Sequence, residues 1–187
     1  MKIIGGKLKN RNFYMPSGIR PTQNLVRKAI FDVLGDVSDL TFLELFAGSG
    51  AVSLEAISRG AKSVTLIEGD SWCAQVIEEN LRLLKIEEET SLGKVDIIVG
   101  NVFPSLKQLA LRKKKFDVVF LDPPFGHELG KKALKALNAC DILHANCFVI
   151  IQDEKNEILP SSEGRFRLIR EKIYGASRLS FYEGTPA

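Results

Sequence analysis

The chain has little of what holds small secreted or metal-bound proteins together. It carries three cysteines, Cys73, Cys140 and Cys147, and no CxxC pair. An odd count without metal spacing points to reduced thiols rather than a disulfide framework. Histidine is scarcer, with only His127 and His144, so no structural zinc centre and no metal are expected. No apolar run approaches the roughly 20 residues that span a bilayer. The opening segment, MKIIGGKLKN, has no apolar h-region, so no secretory signal or membrane association is expected, and the cytoplasm is the expected location. Repeats, low-complexity stretches and long linkers are missing too. What is present is an ordinary apolar content of 45% in 187 residues. That suits one domain over residues 1–187, with 1–20 as a basic extension, and a monomer.

Charge is unevenly spread. Of the 26 basic residues, seven (Lys2, Lys7, Lys9, Arg11, Arg20, Arg27 and Lys28) lie in the first 31 positions, which hold none of the 23 acids. The remainder therefore carries 19 basic against 23 acidic side chains. A basic arm on a slightly acidic body suits an anionic partner, and nucleic acid is the expected one. Short basic stretches are also common as solvated tails. Phe13, Tyr14 and several glycines interleave the charges here, and such residues approach bases and backbone. Lys7, Lys9, Arg11 and Arg27 are the candidate RNA contacts. The run Arg112–Lys115 reads instead as positive charge complementing a helix C-terminus.

Hydrophobic periodicity gives the architecture. Residues 1–20 read as short strands and turns. RPTQNLVRKAIFDVLGD reads as a helix capped by Thr22, with Leu25, Val26, Ala29, Ile30, Val33 and Leu34 as its apolar stripe and Gly35 ending it. Strands and helices then alternate. TFLELF, SVTLIE, VDIIV, FDVVFL and NCFVIIQ read as strands. AVSLEAISR, SWCAQVIEENLRLLK (capped by Asp70 or Ser71), PSLKQLALR with proline at its first position, and ELGKKALKALNA read as helices. The end, FRLIREKIYGASRLSFYE, reads as a hairpin around Gly-Ala-Ser. This order predicts an α/β fold: a Rossmann-like, mostly parallel twisted sheet covered by helices on both faces, with antiparallel strands at one side. Ligands on such folds sit beyond the carboxyl ends of the strands.

Four strand ends carry candidate chemistry. LELFAGSG puts Glu44 in a strand and Phe46, Ala47, Gly48, Ser49 and Gly50 in the turn that follows. Glycines there permit positive φ and close approach of a ligand to the backbone. Any tight strand-to-helix turn favours glycine, so this signal is weak alone. A dinucleotide loop would need a third glycine where Ser53 stands. TLIEGD puts Glu68 18 residues after Gly50, near the spacing of about 20 for an acid that accepts from both ribose hydroxyls. A helix-cap neighbour is the plainer reading of Glu68, and the glycine loop favours the ribose. VGNVFP places Asn101 and Val102 where an adenine amino group and ring nitrogen would meet an acceptor and a backbone N–H. Asn101 alone is more often a turn residue. The fourth end, DPPF, is the most specific. Two prolines fix φ and remove two donors, leaving the Asp122 carboxylate and bare carbonyls at Pro123 and Pro124 as acceptors for an –NH2 group. Phe125 offers a face for stacking a base, worth about 1–3 kcal/mol.

LELFAGSG, IEGD and DPPF, in that order, resemble S-adenosylmethionine-dependent methyltransferases of exocyclic amino groups. IIGGKLKNRNF, IRPTQNLVRKAIFDVL, LELFAGSGAVSLEAISRGA and KIYGASRLSFY resemble, more narrowly, the bacterial RsmD family, from about Lys2 to Tyr182. The resemblance implies methylation of the N2 amino group of one guanine in 16S ribosomal RNA, on assembled or assembling small subunits. It also implies that the Glu44–Gly50 loop holds the methionine part of S-adenosylmethionine, that Glu68 holds the ribose, and that Gly69 belongs to the cofactor site. Asn101 and Val102 flank the adenine, and Asp122–Phe125 hold the target base. Arg20, Pro21 and Thr22 match the family's RPT segment, which closes over the cofactor. The chain departs from the family pattern at Glu44 and Asn101, where Asp is usual, and at Lys28, where Glu is common.

Three other readings compete. DPPF alone does not distinguish guanine N2 from adenine N6 in RNA or DNA. A nicotinamide oxidoreductase shares the glycine loop and Glu68 but leaves DPPF unexplained. A non-enzymatic RNA-binding module would leave all four strand ends idle.

Overall fold

A computed structural model of the chain describes residues 1–19, 22–86, 91–125 and 128–185. Eight strands form one sheet in the order β3-β2-β1-β4-β5-β8-β7-β6. The first five, β1 (Thr41–Leu45), β2 (Ser63–Glu68), β3 (Lys94–Val99), β4 (Phe116–Leu121) and β5 (Leu143–Glu154), run parallel. The antiparallel margin is β6 (Ser162–Glu163), β7 (Phe166–Tyr174) and β8 (Ser177–Gly184), with β7 and β8 joined by the expected tight turn at Gly175 and Ala176. The helices are α1 (Asn24–Leu34), α2 (Ala51–Ser58), α3 (Ser71–Leu83), α4 (Val102–Leu111) and α5 (Leu129–Ala139). The predicted Rossmann-like α/β architecture is the one found.

Alternation along the strands divides the core. Phe42, Val118, Phe120, Ile150 and Phe181 face α1, α2 and α3. Leu43, Leu45, Val119, Leu121, Val149, Ile151 and Tyr182 face α4 and α5. Each central strand is thus apolar on both sides, as a doubly covered parallel sheet requires. β1 lies between β2 and β4, so the chain reverses its direction of winding there. The crevice outside the carboxyl ends of β1 and β4 is the natural ligand position.

Helix α2 is buried along its whole length. The sheet covers one side, and the N-terminal arm covers the other. Lys7 N–H donates to the Ser58 carbonyl at 2.6 Å, Leu8 N–H to Ser58 Oγ at 2.9 Å, and Ser58 Oγ to the Gly5 carbonyl at 2.5 Å. Gly6 has φ +72°, and a Cβ there would stand 1.8 Å from the Ser58 carbonyl oxygen, so only glycine lets the arm lie this close. The arm's β character is a single antiparallel bridge, Lys2 to Asn12, not the short strands expected. Backbone contacts to α2 replace a ladder.

Several local expectations need correction. The N-cap of α1 is Gln23, and Thr22 turns its hydroxyl elsewhere. Leu25, assigned to the apolar stripe, is exposed. Helix α4 begins two residues early, capped by Asn101, so Pro104 is its third residue; its missing N–H falls among donors that lack helical partners anyway. Lys115 pairs with Asp141 rather than with a helix end. The Asp70 cap of α3 is as expected, its carboxylate accepting from Trp72 and Cys73 N–H.

Candidate functional site

The ends of β1, β2, β4 and β5 enclose a cleft of about 430 Å³. From β1 it receives Glu44 and the loop Phe46, Ala47, Gly48 and Ser49; from β2, Glu68; and from β4, Asp122, Pro123, Pro124 and Phe125. Thr22 closes one side, its hydroxyl 3.5 Å from Asp122 Oδ2, at the outer limit of a hydrogen bond.

The loop after β1 is held in an unusual path. Phe46 is a non-glycine residue at φ +57°, a conformation rare outside glycine and concentrated at functional sites. Gly50 is the left-handed N-cap of α2 at φ +68°, and a Cβ there would meet Leu66 Cδ2 at 2.9 Å. Gly50 is therefore packed beneath the loop and does not line the cleft. Glu68 stabilises the loop from the neighbouring strand. One oxygen accepts from Gly48 N–H at 2.6 Å and the other from Asp70 N–H at 2.8 Å. A carboxylate has about four acceptor positions, so Glu68 retains capacity for ligand hydroxyls while tying two loops together.

Glu44 is the buried charge of the site. Its carboxylate accepts from Ser53 N–H at 2.8 Å, in the first turn of α2, and forms no ion pair among the described residues. Burial pushes its pKa up to about 7, the Ser53 hydrogen bonds pull it down, and the nearby Asp122 raises it further. The cleft lining holds three acids, Glu44, Glu68 and Asp122, and no base among the described residues. Such a lining favours a cationic ligand and disfavours a phosphate.

At the β4 end, Pro123 is buried, Pro124 exposed and Phe125 half-buried. Phe125, expected as an exposed ring, therefore shows only part of itself to the cleft.

Not every candidate joins the cleft. Gly69, Asn101 and Val102 lie outside its lining. The Asn101 side chain accepts from Phe103 N–H as the cap of α4, so its presence has a structural reason. Arg20 falls outside the described residues. Among the proposed RNA contacts, Lys7, Lys9 and Arg11 are exposed. Lys7 Nζ donates to the Ser91 carbonyl at 2.9 Å, and Arg11 donates to the Leu83 and Leu84 carbonyls at the end of α3. Arg27 corrects the expectation. It is fully buried, donates to the Lys2 carbonyl and Asn24 Oδ1 at 2.7 Å each, and pairs with Glu55 at 3.7 Å. It fastens the arm to the domain and presents no charge to RNA. Three lining residues were missed by sequence reasoning: Gly18, Ile19 and Gln152. Gln152 had a signal, since it ends the predicted strand NCFVIIQ.

No group of three or more metal-ligating side chains occurs among the described residues, and no helix there is long and apolar enough to cross a membrane.

Comparison with known proteins follows the same lines. A family model described as "Conserved hypothetical protein 95" matches residues 1–183. The ribosomal RNA small subunit methyltransferase D of Escherichia coli (strain K12) is 33% identical over 186 residues, spanning 98% of this chain and 89% of that protein. The solved structure of a putative methyltransferase, yhhF, from Escherichia coli superposes with a TM-score of 0.87 at 32% identity, covering 100% of this chain and 99% of that one. At 16% identity, SMU.776, a putative methyltransferase complexed with SAH, shares the fold with a TM-score of 0.68 over 94% of this chain and 52% of its own. The β1–β4 crevice and its DPPF edge thus sit on a chain that belongs to the ribosomal RNA small subunit methyltransferase D family, the one described as conserved hypothetical protein 95.

Proposed function

We propose that this protein is a ribosomal RNA methyltransferase that methylates the exocyclic N2 amino group of one guanine in the small ribosomal subunit, with S-adenosylmethionine as donor. The observation that carries this is the meeting of DPPF with a cleft at the β1–β4 crevice whose charged lining residues, among those described, are all acids. The donor set fits a ligand carrying a sulfonium and an ammonium group, because Glu44 has no ion pair among the described residues and Glu68 keeps free acceptor capacity. It does not fit the pyrophosphate of a nicotinamide dinucleotide, which would face three carboxylates. The names of the relatives support rRNA as the substrate, and SAH in a fold neighbour agrees with the donor.

S-adenosylmethionine supplies an electrophilic methyl group without metal or acid. The residues here have the task of placement. The guanine amino group is a poor nucleophile, since its lone pair is delocalised into the ring. Asp122 and the Pro123 carbonyl accept hydrogen bonds from its two N–H groups and favour a pyramidal nitrogen. As the nitrogen–methyl bond forms the methyl–sulfur bond breaks, and the methylated nitrogen then gives one proton to solvent. As positive charge grows there, the Asp122 carboxylate stabilises it. The proline pair leaves no competing donor. Phe125 stacks on the base drawn out of its helix or loop. Lys7 and Lys9 hold the RNA backbone, and Arg11 fixes the arm that carries them to the end of α3. Arg20, Gly69, Asn101 and Val102 complete the donor site in this reading.

Tritium transfer from S-adenosylmethionine to small subunits from cells lacking the protein tests the reading, with the product nucleoside identified. N2-methylguanosine is expected. N6-methyladenosine would move the activity to adenine, and no transfer would remove the assignment.

A further inference from the structure

Gln152 is the unclaimed residue of the cleft. Parallel pairing of β4 with β5 sets Leu121 opposite Ile151, so Gln152, still within β5, stands beside Asp122, the first residue after β4. Its backbone is also held on the far side, opposite Leu179 of β8, so the residue rests on rigid sheet rather than on a loop. It lines the cleft, yet it is only 5% exposed. Its Oε1 is buried and has no hydrogen-bond partner among the described residues. A buried acceptor without a donor destabilises the fold, and native chains rarely keep one without a use.

We infer that Gln152 is a specificity-determining residue that accepts a hydrogen bond from the N1–H of the target guanine while Asp122 and Pro123 hold its N2 amino group. The inference rests on the guanine reading above and adds a reason for it. On the Watson–Crick edge of guanine, the atom next to the 2-amino group is N1, which carries a proton, while N3 lies on its other side. On the adenine edge, the ring nitrogens beside the 6-amino group carry no proton and present lone pairs. An acceptor next to the amino-holding residues therefore matches guanine and opposes adenine. A site built to hydrogen-bond one group rejects an analogue lacking it far more strongly than apolar packing does.

The test uses the full chain with small subunits from cells lacking it, with product identity, kcat and KM, donor affinity by calorimetry and thermal unfolding all measured. Wild-type enzyme giving a product other than N2-methylguanosine would overturn the guanine reading whatever the variants do. Given that product, Gln152→Met keeps length and volume but removes the acceptor. Its kcat/KM is expected to fall by about tenfold or more. Its affinity for S-adenosylmethionine should stay within about twofold, and its Tm should hold or rise because an unpaired polar atom is gone. Gln152→Glu keeps acceptors at the same reach and is expected to retain activity within about threefold. Activity within about twofold of wild type in Gln152→Met would overturn the inference. So would a matching loss of donor affinity, a lowered Tm, or equal failure of Met and Glu.

Discussion

Two buried carboxylates, Glu44 and Glu55, lie eleven residues apart around helix α2 and have opposite surroundings. Glu55 has its charge saturated by cations. It pairs with Arg27 at 3.7 Å and Arg59 at 2.8 Å and accepts from Ile4 N–H at 2.9 Å. The two guanidiniums lie over Phe13 and Phe31 in turn. Glu44 has the Ser53 amide and no ion pair among the described residues; Arg27 reaches it only as a more distant charge. One charge is used up in holding the arm against α1 and α2. The other lines the interior of a cleft, where a ligand has to complete it. Removing a saturated charge should break the fold, and removing an incomplete one should break the chemistry.

The largest expected effect is on the saturated side. Glu55→Ala leaves the buried Arg27 guanidinium without its counter-charge, a change that costs about 3–5 kcal/mol for a buried pair. Chemical denaturation should show that loss, with the arm released from α2. Retained stability would mean that the pair is not what fastens the arm. Next comes the cleft. Asp122→Ala should lower methyl transfer to small subunits by about 10²–10³-fold, the scale for losing one group that stabilises transition-state charge. Its Tm and donor affinity should be nearly unchanged. Near-normal turnover would sink the role assigned to Asp122.

Glu44 sharpens the contrast through pH. Its folded pKa, raised to about 7 from 4.5, means that the folded state binds the proton more tightly than the unfolded chain does. The stabilising contribution is complete below about pH 4.5, declines as pH rises, and is gone above about 7. Glu44→Gln cannot ionise. The ligand-free variant should therefore match wild type near pH 4 and exceed it at pH 8, by about 1–3 kcal/mol. The same substitution should weaken donor binding, because it removes the charge that a cation would complete. A variant less stable than wild type at pH 8 would show that Glu44 is paired after all.

The fold was legible because the apolar strands and their helical spacers are local patterns, and DPPF, Glu44 and Glu68 were legible because each sits at a strand end. What was not legible depends on contacts between distant residues. Arg27 looks like any other charge of a basic arm until Glu55, Asn24 and the Lys2 carbonyl enclose it. The continuous burial of α2 had a trace in the mostly apolar run AVSLEAIS, but the covering partner was the arm itself. Asn101 caps α4, a second reason for its presence that the short run VGNVFP did not separate from a ligand role. Gln152 was missed because the strand-end argument stopped at four strands, while its meaning depends on β5 lying beside β4.

The smallest effect divides the arm's charges as the two glutamates were divided. Arg27 is used internally, and Arg11 is engaged at the end of α3. Lys9 is exposed with no side-chain partner among the described residues, and Lys7 makes one exposed bond to the Ser91 carbonyl. These two lysines are the charges an RNA backbone can take over. Changing both to alanine should leave stability within about 0.5 kcal/mol, as expected for surface positions. It should reduce the slope of log affinity against log salt by about 1 to 2, since each released phosphate contact contributes somewhat less than one unit. An unchanged slope would mean that the arm serves the fold alone, through Arg27, and that RNA is held by another surface.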